Sequence, residues 1–114
     1  MRCSIWLMAC LVVVLTGCAS RSIYYWGDYS DTLYQYKKSP SDKTFARHKK
    51  ELEKVIDQSA QRGKLVPPGL YFELAMLEIK QGNVERGKAL MRREMETYPE
   101  SSQMVTKAMA LIGD

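Results

Sequence analysis

The chain has an eleven-residue apolar segment, Ile5 to Leu15, and the run Leu15-Thr16-Gly17-Cys18 closes it. This feature decides how much of the chain is left to fold. Met1 and Arg2 give a positive start, the apolar stretch follows, and Thr16 and Gly17 are small residues a signal peptidase accommodates. The apolar stretch is too short to cross a bilayer, which takes about 20 residues. Two other readings are an uncleaved amphipathic helix and an ordinary signal cut near Ala19 or Ser20. The favoured reading is a lipobox: residues 1–17 form a cleaved signal peptide, cleavage follows Gly17, and lipid is attached to the Cys18 thiol.

All three cysteines, Cys3, Cys10 and Cys18, lie in or at the end of that leader. The 97 residues from Cys18 onward hold no other thiol, which excludes an internal disulfide, a cysteine metal site and a thiol nucleophile there. A lone cysteine in an exported chain calls for a purpose, and lipid attachment supplies one. The length predicts one small domain, residues 24–114, after a tether at 18–23. Without Arg2 the chain carries 16 basic and 13 acidic residues, a formal net charge of +3, with the signs interspersed. That balance suits solubility and at most mild attraction to anionic headgroups. No nucleic-acid partner is expected.

From Cys18 to Trp26 the chain spans eight residue steps, a reach of at most roughly 27 Å. The folded body is therefore expected close to a membrane surface. Six aromatic residues then crowd into one stretch: Tyr24, Tyr25, Trp26, Tyr29, Tyr34 and Tyr36. Ser30 or Asp31 is placed to cap a short helix to about Lys38, stopped by Ser39-Pro40-Ser41. Ser41 or Asp42 caps a longer helix to about Arg62. Its apolar stripe is Phe45, Leu52, Val55, Ile56 and Ala60, with His48 and Lys49 near it. Arg47/Glu51 and Lys49/Glu53 read as opposite-charge pairs on the other face. Gly63 and the stiff Val66-Pro67-Pro68-Gly69 loop follow. A third helix, about 68–81, is apolar on nearly every side and reads as central. A fourth, about Val84 to Tyr98, ends at Pro99. A last helix opens at Ser101 or Ser102, with Met104, Val105, Ala108, Leu111 and Ile112 on one face. The expected class is all-α, four to five helices in antiparallel hairpins.

Residues 68–101 span 34 positions, the tetratricopeptide unit length. Tyr71-x-x-Leu74-Ala75, the Gly82-Asn83 turn, Gly87-x-x-x-Met91 and Pro99 fit that unit's pattern. Glu78 departs from it, where an aromatic is usual, and so does Gly87, where Ala is usual. The reading is a tetratricopeptide-like hairpin that needs neighbouring helices to cover its apolar face.

The lipobox, Tyr25-Trp26-Gly27-Asp28-Tyr29, Val66-Pro67-Pro68-Gly69-Leu70-Tyr71, Lys80-Gln81-Gly82 and Tyr98-Pro99-Glu100-Ser101-Ser102 together resemble a family of small bacterial lipoproteins. That family carries a Trp-Gly-x-Tyr motif and has no known function. The resemblance covers nearly the whole chain after the leader and brings no catalytic residues with it. It implies an envelope setting, with genes for a curli-secretion-channel-like lipoprotein and a second small lipoprotein as neighbours. Ala19 after the lipidated cysteine implies outer-membrane sorting, as in similar Gram-negative lipoproteins.

Candidate chemistry is sparse. His48 is the only histidine, has no ligand set around it, and reads as a partly exposed helix residue. Asp28 and Asp31 are close in sequence but sit where helix caps belong. No phosphate loop and no nucleophile elbow occurs. No metal, cofactor or small-molecule substrate is expected. The cluster Tyr25, Trp26 and Tyr29 has three readings: packing that closes one end of the core, a partner-binding patch, or a membrane-interface belt. Gly27 suggests a tight turn suited to a packed tryptophan. The expected function is a non-enzymatic adaptor or structural component of an envelope complex. It would be lipid-anchored on the periplasmic face of the outer membrane and bound to other envelope lipoproteins. The alternative is a cell-wall-binding or hydrolase accessory protein.

Overall fold

A computed structural model describes residues 22–113. The leader, the Gly17 cleavage position and Cys18 lie outside the described residues. Within them the chain is all-α: α1 (Tyr29–Lys38), α2 (Asp42–Gln61), α3 (Leu70–Lys80), α4 (Val84–Thr97) and α5 (Ser102–Ile112), with a 3-10 turn at Pro99–Ser101. There is no strand among the described residues.

The helix ends follow local chemistry. Ser41 opens α2 with a capping box: its hydroxyl accepts from Thr44 N at 3.1 Å, and Ser41 N donates to Thr44 Oγ1 at 2.9 Å. α1 begins earlier than expected, at Tyr29. Asp28 holds its cap position, but the Asp28 side chain makes no cap bond. α3 begins at Leu70, two residues later than expected, because Gly69 takes a left-handed backbone at the cap position.

α3 and α4 form the most extensive helix pair, α1 lies along α2, and α5 packs on α4. The core is built from Leu52 and Val55 of α2, Leu70, Leu74, Ala75 and Leu77 of α3, Leu90 and Met91 of α4, and Val105 of α5. Gly87 sets how closely α3 and α4 approach. A Cβ there would lie 2.5 Å from Ile79 Cγ1 and 3.1 Å from the Ala75 carbonyl oxygen. The small residue at this position thus has a steric cause.

Several expectations about faces are corrected. Met104 and Leu111 of α5 are exposed rather than inward, and so is Ala60 of α2. The expected pairs within α2 give way to longer bridges. Arg47 meets Asp31 at 3.3 Å, Lys49 meets Glu78 at 3.0 Å, and Arg86 meets Glu53 at 3.1 Å.

Candidate functional site

The aromatic segment is seated on α2 and α3 through two glutamates. Trp26 O accepts from Tyr29 N at 3.1 Å, closing a turn at Gly27, whose φ is +52°. Glu51 Oε1 accepts from Asp28 N at 2.8 Å. A Cβ on Gly27 would stand 2.5 Å from that same oxygen, so the turn needs glycine for both its backbone angle and its space. Two residues on, Tyr29 OH donates to Glu73 Oε2 at 2.6 Å. The Trp-Gly-Asp-Tyr sequence is therefore a docking clip, with its backbone held by α2 and its tyrosine by α3.

Behind the clip lies His48, which is only 1% exposed. This corrects the expectation of a partly exposed histidine. Its position three residues after Phe45 and four before Leu52 puts it on the buried face of α2, a signal available in the spacing. His48 Nε2 lies 2.7 Å from Glu73 Oε1, and Nδ1 lies 2.8 Å from Thr32 Oγ1. The ring sits between Tyr29 and Tyr36, with centroids 5.6 and 6.1 Å away.

A carboxylate only accepts, so Nε2 carries a proton toward Glu73. In the neutral ring Nδ1 takes the Thr32 proton. In the charged ring Nδ1 donates, and Thr32 turns its proton to Tyr29 O, 3.1 Å away. Thr32 can serve either state. Burial raises the Glu73 carboxyl, but the bonds from His48 and Tyr29 and the charges of His48 and Lys37 outweigh it and hold the group below its ordinary value. Burial, and then the bond and charge of Glu73, push the Tyr29 hydroxyl the other way, well above its usual value.

The order hydroxyl, imidazole, carboxylate is that of an acyl-transfer triad. Here Thr32 is 3% exposed and lies inside α1, so its hydroxyl faces neighbours rather than a substrate space. The chain of bonds acts as a brace.

Two further glutamates act in the same way and were not singled out from the sequence. Glu78, buried at the position where the repeat pattern usually has an aromatic, lies 3.0 Å from both Lys49 Nζ and Arg86 Nε. Its other oxygen accepts from Asn83 Nδ2 at 2.8 Å. Burial raises this carboxyl, yet the Lys49 and Asn83 bonds and the Lys49 and Arg86 charges bring it below its ordinary value. Glu94, also buried, accepts from Gly69 N at 2.7 Å, while Tyr98 OH donates to Val66 O at 2.7 Å. The Val66-Pro67-Pro68-Gly69 loop is thus clamped from α4 and the residue that ends it.

Of the sequence candidates, Tyr25 and Tyr29 pack partly buried against the core, with the Arg62 guanidinium 4.2 Å over the Tyr25 ring. Trp26 does not join them inside. It is 40% exposed, touching Tyr24 and Tyr29 at centroid distances of 6.4 and 5.2 Å. Asp31 reaches only the exposed bridge to Arg47, a geometry worth about 0–1 kcal/mol.

The depressed carboxyls predict an acid limit. Glu73 and Glu78 have folded values below their unfolded ones, so they stabilise the fold above the unfolded value of 4.5, and this is lost as pH falls through the folded values. Melting temperature is expected to stay level from pH 7 to about 5 and to drop below that. Glu73→Gln should flatten the drop in a pH series of thermal melts. An equally steep drop in that variant would show that Glu73 is not a source of it. At the alkaline end the sign reverses: Tyr29 is stabilising while protonated, and its contribution fades as pH rises beyond about 10.

A family model described as "Domain of unknown function (DUF4810)" matches residues 23–108. No curated protein and no solved structure matches the chain.

Proposed function

The chain belongs to this family of unknown function, and from that premise we propose that it is a lipid-anchored adaptor of an envelope protein complex. Lipid on Cys18 would hold the helical body on the periplasmic face of the outer membrane. There it would join other envelope lipoproteins, among them a curli-secretion-channel-like one. The resemblance to small lipoproteins with a Trp-Gly-x-Tyr motif implies the same setting.

The observation that carries the reading is how the polar groups are used. His48, Glu51, Glu73, Glu78 and Glu94 are each engaged in bracing one element against another. Among the large apolar and aromatic side chains of the helices, Tyr34, Met76, Met104 and Leu111 are left outward. A stiff frame with scattered apolar contacts on its surface suits docking between proteins. The leader and its terminal Cys18 support the anchored location, and the described residues begin four positions after that cysteine. Among them no helix is long and apolar enough to cross a membrane.

Two experiments test the reading. Cys18→Ser should release the domain from membranes or leave the signal uncut, read by fractionation and mass. Unchanged processing and membrane association would sink the anchor. A tagged chain at native expression, recovered from detergent-solubilised envelopes, should bring envelope lipoproteins with it. Recovery of the chain alone would count against the adaptor role. Turnover of muropeptides by the purified protein, lost in Thr32→Ala, would instead favour the hydrolase reading, because it would require the buried hydroxyl to open to substrate.

A further inference from the structure

The first described residues are pinned to the loop that follows α2. Lys64 Nζ donates to Ser22 O at 2.9 Å. The residues directly after these two, Ile23 and Leu65, are 74% and 60% exposed. Ile23 is bridged by the Ser22 hydroxyl, which donates to Tyr24 O at 2.7 Å, and Leu65 lies between two held residues. Lys64 N donates to Ser59 O at 2.9 Å, and Val66 is held by the Tyr98 hydroxyl. On the other side of Ile23, the Tyr24 ring meets Trp26, and Arg62 covers Tyr25. The Lys64–Ser22 bond therefore brings the exposed Ile23 and Leu65 beside Lys64, and the same short segment carries on through Tyr24 to the half-exposed indole of Trp26 and through Tyr25 to Arg62. Nothing in the core explains Ile23 and Leu65 on this face.

We infer that this face, with Ile23, Leu65 and Trp26 at its tip, rests on the bilayer in which the Cys18 lipid is seated. The inference rests on the anchored reading and deepens it. Its occupant is chosen by chain length. Four residue steps join Cys18 to Ser22, a reach of at most roughly 14 Å. Any membrane holding the lipid thus lies within that distance of the face around Ser22, which leaves too little room for a folded partner between them. The chemistry agrees. Indole and branched aliphatic side chains settle at the headgroup level, and Lys64 and Arg62 complement anionic headgroups. A lipid anchor alone leaves a domain free to turn, whereas a second contact of this kind fixes which side faces outward.

Trp26 reports on this directly. Trp6 lies in the leader, so Trp26 is the sole indole of the processed chain. The lipidated full chain is reconstituted into phosphatidylethanolamine and phosphatidylglycerol vesicles, plain or brominated near the top of the acyl chains. It should float with both, and Trp26 should lose most of its emission only in the brominated ones. Ile23→Asp with Leu65→Asp should still float, keep its helical circular dichroism and regain the emission. These positions are exposed, so the fold should tolerate both changes.

Flotation with equal emission in both vesicles would overturn the docked face and leave the anchor standing. So would quenching that persists in the double variant. Emission shielded only when solubilised envelope proteins are added would assign the face to a protein instead. Failure of the lipidated chain to float would remove the anchor and the docked face together.

Discussion

His48→Ala is expected to lower stability by about 3 kcal/mol, a fall in melting temperature of roughly 12–24 °C for a domain of this size. Three losses add. The imidazole fills the space between Tyr29 and Tyr36, so its removal leaves a cavity. Glu73 loses one of its two side-chain donors, and the Thr32 hydroxyl loses one of its two partners in a buried site. The Thr32 hydroxyl keeps an acceptor in Tyr29 O, 3.1 Å away, so the cavity and the weakened hold on Glu73 carry most of the cost. The effect should also be seen at a distance. With the imidazole gone, the clip that carries Trp26 is held by Glu51 and by a Tyr29–Glu73 bond that His48 no longer positions, so Trp26 emission should shift at temperatures below global melting. A melting point within a few degrees of the parent protein would show that the brace is dispensable.

Gly87→Leu is expected to cost a similar amount, about 3 kcal/mol, by forcing α3 and α4 apart. The comparison with Gly87→Ala makes the argument specific. A single Cβ meets the Ile79 side chain, which is only partly buried and can shift, and stands 3.1 Å from the Ala75 carbonyl oxygen, close but not overlapping. The strain is then offset by the gain of about 1 kcal/mol from replacing glycine inside a helix. Alanine should be close to neutral. Leucine adds further carbons beyond a Cβ that already has no spare room against Ile79 and the fixed Ala75 carbonyl, so side-chain shifts alone do not accommodate it. Urea unfolding followed by helical circular dichroism should separate the two. Equal midpoints for the two variants would mean that the close approach does not limit the hairpin.

Much of the helical frame can be read in the chain, because its punctuation is local. Ser41, Gly63, the Gly82-Asn83 turn and Pro99 each act on their own backbone, and the elements break where they stand. The charged residues behave differently. Spacing of four predicts Arg47 with Glu51 and Lys49 with Glu53, contacts worth about 0.3–0.5 kcal/mol on an isolated helix. In the folded protein each of these side chains finds a partner on another element. Glu51, Glu73, Glu78 and Glu94 look like ordinary surface residues until the helices meet. His48 is an intermediate case: its place on the buried stripe is legible, but its partners Thr32 and Glu73 come from α1 and α3. The exposure of Trp26 follows the same logic, since only the docking of neighbours decides which ring of an aromatic cluster is covered. The function classes raised by the leader turn on Cys18, whose reading remains one of sequence.

The clip has a consequence for the order of events in biosynthesis. Asp28 waits for a carboxylate 23 residues later, and Tyr29 for one 44 residues later. A chain made from its amino end therefore presents Trp26 and its tyrosines well before the groups that will seat them have been synthesised. Contacts so far apart are reached late, because the intervening chain must first close into a loop. The segment nearest the proposed lipid is thus early to emerge and among the last to be latched: α1 can pack over His48 as soon as α2 exists, but Tyr29 is fastened only once α3 has delivered Glu73.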